Sequence, residues 1–224
     1  MNVVDFIIIL ALILGGLSGA RNGFFKQSIV LVGTILTFVL AWIFKTPLAN
    51  LLSYNLPFFN FAGPFEGVTA LNIVMYQLIA FLFLWCLLVA VLMVIIKMTN
   101  VFEKILKMTF VLSIPSKILG FFVGVLEAYV IVFIVLFFLN QPAINMGIIQ
   151  DSALTKPILN SSPVLTHTVK NTNEAIKDIY KISKATPNAD KDALNKQITD
   201  SLLKHKVINN EYLNKLRSKD KINY

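Results

Sequence analysis

Four long apolar runs constrain the fold of this 224-residue chain more than any other feature. They cover about residues 3–20, 28–44, 71–96 and 118–139. Because roughly 20 apolar residues at 1.5 Å per residue cross the hydrocarbon core of a bilayer, each run is close to the length of a transmembrane helix. Helices of soluble proteins keep a polar face, and these runs have none. The sequence therefore predicts an all-α membrane protein with four transmembrane helices.

Composition supports the same class and argues against an enzyme. Hydrophobic residues make up 56% of the chain and charged residues only 14%, whereas soluble domains carry about a quarter charged residues. The chain has no G-x-S-x-G, Walker, H-E-x-x-H or C-x-x-C motif. Its single cysteine, Cys86, lies in an apolar run, and His167 and His205 are expected to be surface residues. We expect no enzymatic activity, no cofactor and no metal.

Residues 141–224 differ sharply in composition and are predicted to form a polar, basic, helical tail after a four-span membrane domain of residues 1–140. The membrane domain carries seven basic and four acidic side chains, and the tail thirteen and eight. Since the tail mixes both signs without an arginine-rich run, we expect anionic lipid headgroups as partners and no nucleic acid. Apolar residues recur at helical spacing in three stretches: Val164, Leu165, Val169, Ile176, Ile179, Tyr180 and Ile182; Ala193, Leu194, Ile198, Leu202 and Leu203; and Tyr212, Leu213 and Leu216.

Basic residues in the short loops predict the orientation of the spans. The first loop carries Arg21 and Lys26 around Gly23, which we interpret as a hairpin turn with inner-face anchors. The third loop, residues 97–117, carries four lysines and includes an amphipathic stretch expected to lie as a helix on the inner leaflet. Because lysine and arginine favour the cytoplasmic side, both loops are predicted to be cytoplasmic and both termini extracytoplasmic.

Small residues indicate which helix faces pack closely. Gly120 and Gly124 lie four residues apart on the fourth span, and Gly15 and Gly19 repeat that spacing on the first. Glycines at this spacing let two transmembrane helices approach each other. We therefore predict that these four glycines form helix-packing faces.

Glu127 is an ionisable residue near the middle of the fourth predicted span. A charged group at this depth raises the free energy of membrane insertion by at least about 2.5 kcal/mol on insertion scales. Glu127 shares a helical face with the two glycines of its span. Two interpretations stay open. Glu127 handles a proton or cation, or it is a buried acid hydrogen-bonded to a neighbouring span, for instance to Ser18, Thr34 or Thr37. Asp5, near the end of the first span, is expected only to mark a membrane boundary.

Three stretches resemble the CvpA (colicin V production protein) family of bacterial inner-membrane proteins. They are Arg21–Ser28, a basic turn containing a glycine between two apolar helices; Ile114–Gly124, which leads into the last span with two glycines four apart; and Ser161–Leu165, a Ser-Ser-Pro stretch beyond that span. The resemblance covers roughly residues 1–180. It implies a multi-pass protein of the bacterial cell (inner) membrane, involved in toxin (colicin V) production or export and in envelope homeostasis, with no settled reaction.

Two function classes follow. The first is a membrane scaffold that acts through protein partners or as a homo-oligomer, using its tail and its glycine-lined helix faces. The second is a small oligomeric transporter or channel subunit in which Glu127 carries the proton or cation. Replacement of a packing glycine tests the first class, and replacement of Glu127 by glutamine tests the second.

Overall fold

The long elements of the protein are four apolar helices, as the sequence predicts. A computed structural model describes residues 2–62, 66–107, 113–141, 149, 151–185 and 190–223, and those residues contain helices and no strand. The long helices are α1 (Val3–Asn22), α2 (Phe24–Asn55), α3 (Leu71–Lys107) and α4 (Ser113–Leu139). All four are long and apolar enough to cross a membrane. The prediction of an all-α protein with four transmembrane helices is confirmed.

Three of these helices extend well beyond the apolar runs. Helix α2 continues through Pro47 to Asn55, and α4 already begins at Ser113. The third-loop helix expected near residue 100 is continuous with α3, while Thr109 lies outside the described residues. An apolar run shows which part of a helix fits the hydrocarbon core, whereas the helix itself ends where its backbone hydrogen bonds end. Apolar runs therefore underestimate helix length.

The tail is helical, in agreement with the periodicity of its apolar residues. Its described helices are α5 (Thr155–Asn160), α6 (Pro163–Ala185), α7 (Lys191–Lys204) and α8 (Asn210–Arg217). Asn209 caps α8, because its side chain accepts a hydrogen bond from the Tyr212 N–H at 2.9 Å. The chain between α2 and α3 is described only in part, because residues 63–65 lie outside the described residues.

The chain forms two compact units that alternate along the sequence. Unit 1 comprises the described residues of Met1–Leu40, Trp85–Asn140 and Ile144–Thr166, and unit 2 those of Ala41–Leu84, Gln141–Ala143 and His167–Tyr224. Each unit contains parts of the long helices and part of the chain that follows α4. The boundary near residue 140 that composition suggests is therefore not the boundary between the compact units.

The core of unit 2 joins the tail to the start of α3. Ile198 and Leu202 of α7 and Leu216 of α8 are at most 1% exposed. They belong to one hydrophobic cluster with Val68, which lies just before α3, and Ile73, which lies in the first turn of α3. Since the small tail helices bury too little apolar surface for a large core of their own, these residues complete it.

Candidate functional site

Helices α1 and α4 of unit 1 approach each other closely at the predicted packing glycines. A Cβ atom on Gly19 would lie 2.7 Å from the Cα atom of Gly124, and one on Gly124 would lie 2.8 Å from the Cα atom of Gly19. A Cβ atom on Gly15 would lie 2.8 Å from the carbonyl oxygen of Gly124, and one on Gly120 would meet the carbonyl oxygen of Gly19. Real Cβ atoms do not approach backbone atoms this closely, so α1 and α4 require glycine here.

The glycine faces of α1 and α4 are consequently occupied within the chain. Gly15 lies beside Gly124 and Gly19 beside Gly120, so the two helices run antiparallel. A partner protein or a second copy can reach these faces only if α1 and α4 separate. Partner binding on the glycine faces, as expected from the sequence, is therefore not available to the folded protein.

The predicted hairpin turn consists of the single residue Gly23 between α1 and α2. Its φ angle is 78°, in the region that favours glycine, and its N–H donates to the carbonyl of Gly19 at 2.9 Å. The first N–H of α2, on Phe24, donates to Ser116 Oγ at 3.1 Å, which links the turn to α4. The predicted anchors flank the turn: Arg21 is exposed, and Lys26 is half-buried.

Glu127 is the end of a chain of polar side chains inside unit 1. The Nε2 atom of Gln27 donates to Glu127 Oε2 at 3.1 Å, and the Nδ2 atom of Asn22 donates to Gln27 Oε1 at 2.9 Å. Gln27 is only 1% exposed, whereas Glu127 is half-buried. Because helix side chains lean toward the N-terminus of their helix, the carboxyl group of Glu127 points toward the end of α4 that lies at the α1–α2 turn.

The partner of Glu127 differs from those that the sequence suggested. The sequence suggests Ser18, Thr34 or Thr37, but Thr37 Oγ1 donates to the carbonyl of Thr34 at 3.0 Å instead. The observed partner, Gln27, lies just outside the second apolar run, which begins at residue 28. It is within reach because α2 begins earlier than its apolar run, so that Gln27 stands in the first helical turn. The observed pair joins an acid to a neutral amide.

Asp5 holds the chain that follows α4 against the beginning of α1. Its side chain is 0% exposed and accepts hydrogen bonds from Ser152 Oγ at 2.6 Å, the Leu154 N–H at 3.1 Å and the Asn2 N–H at 2.7 Å. A fully buried carboxylate with three donors is an organising contact and more than a boundary marker. The sequence did not indicate this role, since Ser152 and Leu154 lie some 150 residues away along the chain.

The segment after α4 runs back alongside that helix. Ser162 Oγ donates to the hydroxyl of Tyr129 at 2.9 Å, and that hydroxyl donates to the carbonyl of Ile158 at 3.2 Å. Tyr129 lies ten residues before the end of α4 at Leu139, which is about 15 Å along a helix with 1.5 Å rise per residue. The Ser-Ser-Pro stretch therefore lies at the depth of the fourth span and not beyond its end.

Lys45 is a buried lysine in unit 2. Only 4% of the residue is exposed, its Nζ lies 3.4 Å from the centroid of the Trp42 ring, and Nζ donates to Thr172 Oγ1 at 3.2 Å. The aromatic face provides electrostatic stabilisation for an ammonium group. Lys45 directly follows the apolar run of residues 28–44, yet it belongs to α2 and contacts helix α6 of the tail.

A cluster of charged groups links two tail helices within unit 2. His205 Nε2 lies 2.8 Å from Asp178 Oδ2, and His205 Nδ1 lies 3.5 Å from Glu174 Oε2. The hydrogen bond from His205 holds the pKa of Asp178 below its usual value. The expectation of two isolated surface histidines holds for His167, which is exposed, but not for His205, whose side chain is 13% exposed.

The residues that the structure describes contain no group of three or more His, Cys, Asp or Glu side chains that could hold a metal ion. What unit 1 presents instead is a pair of glycine-packed spans, a polar chain ending at Glu127 and a segment folded back along α4. These features, with four apolar helices of membrane-spanning length, define a multi-pass helical membrane protein. The pattern of the Colicin V production protein family matches residues 4–163, and the chain belongs to that family.

The match ends at the first residue of α6, so the family pattern includes the four spans, Glu127 and the folded-back segment but not the remaining tail helices. Neither the curated proteins nor the solved structures contain a match to this chain. The family membership therefore confirms the resemblance and leaves the biochemical role to be argued from the residues.

Proposed function

We propose that this protein is a scaffold of the bacterial cell (inner) membrane that acts through proteins docked on its tail, in toxin (colicin V) production or export and in envelope homeostasis. The toxin and envelope roles are those that the family description and resemblance imply. The proposal includes no catalytic reaction. It differs from the sequence-based scaffold hypothesis in one respect, because it places partner binding on the tail and not on the glycine faces.

The observation that carries the proposal is the shared core of unit 2. Helices α7 and α8 bury Ile198, Leu202 and Leu216 together with residues at the start of α3, while Lys196 and Lys219 remain exposed. A tail fixed in this way to a membrane helix presents its charged surface in a defined orientation. A defined polar surface on a membrane anchor is what a docking scaffold requires.

The proposed orientation places both termini outside the cytoplasm. Loops one and three carry most of the loop lysine and arginine, and an even number of crossings puts the two ends on the same side. We expect a reporter fused after Tyr224 that is active only outside the cytoplasm to be active, and one that is active only inside to be silent. The same reporters fused after Lys104 should give the opposite result. A cytoplasmic C-terminus would contradict the orientation and the tail's proposed partners.

The scaffold and the transporter alternative make opposite predictions for Glu127. A glutamine at this position keeps an oxygen that can accept the hydrogen bond from Gln27 Nε2, so Glu127→Gln should preserve the fold. It also removes the titratable group. For a scaffold we expect Glu127→Gln to complement a strain lacking this protein in toxin export and envelope integrity at close to the wild-type level.

A second variant, to be compared with Glu127→Gln, changes the surface of the tail and leaves the four spans intact. The double substitution Lys196→Glu and Lys219→Glu alters two exposed lysines, so protein abundance should stay at the wild-type level, while complementation should fall several-fold. Immunoblots of both variants provide the abundance control. If Glu127→Gln abolishes complementation and the tail variant retains it, the transporter alternative replaces the scaffold.

A further inference from the structure

Unit 2 contains an apolar cavity of about 280 Å³ between α3 and α6. From α3 it is lined by Leu71, Met75 and Leu78, and from α6 by Ile176, Tyr180 and Ser183. Its lining is almost entirely apolar. The three α3 residues lie in the first two or so turns of a helix that is apolar enough to span the membrane.

Position determines what kind of apolar group can reach this cavity. Leu78 is exposed on the surface of α3, which would face hydrocarbon if α3 spans the bilayer. The apolar molecule present at high concentration beside such a surface is a lipid acyl chain. Helix α6 adds an amphipathic wall, with apolar residues toward the cavity and charged residues away from it.

A stripe of lysines follows the cavity along α6. Lys177, Lys181 and Lys184 each come directly after a residue that lines the cavity, and all three are exposed. Their spacing of four and then three residues puts them on one helix face. None of the three forms an ion pair within the part of the chain that the structure describes. The acidic residue between them, Asp178, is engaged by His205 and Lys204.

The cavity offers a bound molecule almost only apolar contacts. Ser183 belongs to its lining, but the Oγ atom of Ser183 is buried beneath the surface of the cavity. The polar part of a bound molecule must therefore lie outside the cavity, where the lysines are. An apolar cavity and a flanking row of cations match the acyl chain and the phosphate of an anionic glycerophospholipid.

We propose that α3 and α6 form a binding site for an anionic phospholipid of the bilayer. Part of one acyl chain occupies the cavity, and the phosphate lies against Lys177, Lys181 and Lys184. This site is distinct from the inner-leaflet contacts expected for the third loop, and it is independent of the scaffold function. Bound lipid would fix α6 to α3 and so support the tail.

The test compares lipids and variants of the full-length protein in mild detergent. Phosphatidylglycerol and phosphatidylcholine with identical acyl chains are titrated, and the melting temperature and the number of lipids retained in native mass spectrometry are measured. We expect phosphatidylglycerol to raise the melting temperature more and to be retained as one tightly bound molecule. Substituting Lys177, Lys181 and Lys184 by glutamine should weaken retention of phosphatidylglycerol at least about tenfold. The reason is that each lysine near an anionic headgroup contributes to the free energy of lipid binding.

Two further variants separate site binding from general charge attraction. The control substitutes three exposed lysines outside α6, Lys196, Lys206 and Lys219, by glutamine, which gives the same change in net charge. It should retain the lipid like the wild type. Ser183→Leu, which fills part of the cavity and leaves the lysines in place, should lose retention of the tightly bound molecule. Three results would each overturn the proposal. They are equal effects of the two lipids, equal loss of lipid retention in both triple variants, and undiminished lipid retention by Ser183→Leu.

Discussion

Gly124→Leu should prevent the four-span protein from assembling, which is the largest effect we expect from a single substitution. Even a Cβ atom on Gly124 would lie 2.8 Å from the Cα atom of Gly19 and would also meet the carbonyl of Gly15. Because the obstacles are backbone atoms, no rotamer change relieves the overlap, and α1 and α4 must move apart. Overpacking of a core typically costs 1–3 kcal/mol, and a clash with two backbone segments should exceed about 3 kcal/mol.

The graded substitution Gly124→Ala tests the same contact with the smallest possible change. Its control is Gly33→Ala, because a Cβ atom on Gly33 would meet the side chain of Leu92, which can rotate away. We expect Gly124→Ala to lower the melting temperature in detergent strongly and Gly33→Ala to lower it by a few degrees at most. Equal melting temperatures for the two alanine variants would show that the α1–α4 approach is not as close as described.

Sequence patterns predicted the features that depend on local composition. Apolar runs located the four helices, and periodicity in the tail located α6, α7 and α8. The spacing of Gly120 and Gly124 indicated a packing face because glycine allows any neighbouring helix to approach the backbone closely. Periodicity could not identify the opposing helix. Either a second copy of the chain or α1 could have supplied the partner glycines, and only the fold distinguishes them.

The polar contacts of the candidate site were less predictable, since each joins residues far apart along the chain. Hydropathy does not indicate Gln27 as the partner of Glu127, because Gln27 lies just before the second apolar run. The second apolar run ends before Lys45 because a charge appears there, although α2 continues past this residue. A long side chain can place its polar end a helical turn or more from its own backbone and form a hydrogen bond there. Hydropathy averaged over a stretch of sequence does not show that displacement.

The same limitation applies to the segment that follows α4. Its residues are polar enough to be assigned outside the membrane, yet Ser162 is hydrogen-bonded to Tyr129 well within the fourth span. Non-helical backbone at membrane depth is tolerated where protein covers it and its polar groups are satisfied. Here the Ser161–Ser162 turn between α5 and α6 is stabilised by side-chain hydroxyls, and the chain entering α5 is held by Asp5.

Asp5→Ala should therefore release the folded-back segment while leaving the spans in place. The substitution removes the acceptor for Ser152 Oγ and the Leu154 N–H, both of which would remain as buried or partly buried donors. Hydrogen bonds to a charged group contribute about 1.5–3 kcal/mol each, so the expected loss in the free energy of unfolding is roughly 3 kcal/mol or more. Hydrogen exchange of residues 151–162 should become much faster, while exchange in the α1–α4 contact at Gly19 should change little.

Two companion variants identify the cause of that release. Asp151→Ala removes an exposed carboxylate next to Ser152 and should leave exchange unchanged, which controls for net charge. Asp5→Asn keeps one oxygen for Ser152 and Leu154 but turns an amide toward the Asn2 N–H, so its effect should be intermediate. If Asp5→Ala leaves exchange of residues 151–162 at the wild-type rate, the buried carboxylate does not anchor the segment, and the Tyr129–Ser162 contact must hold it alone.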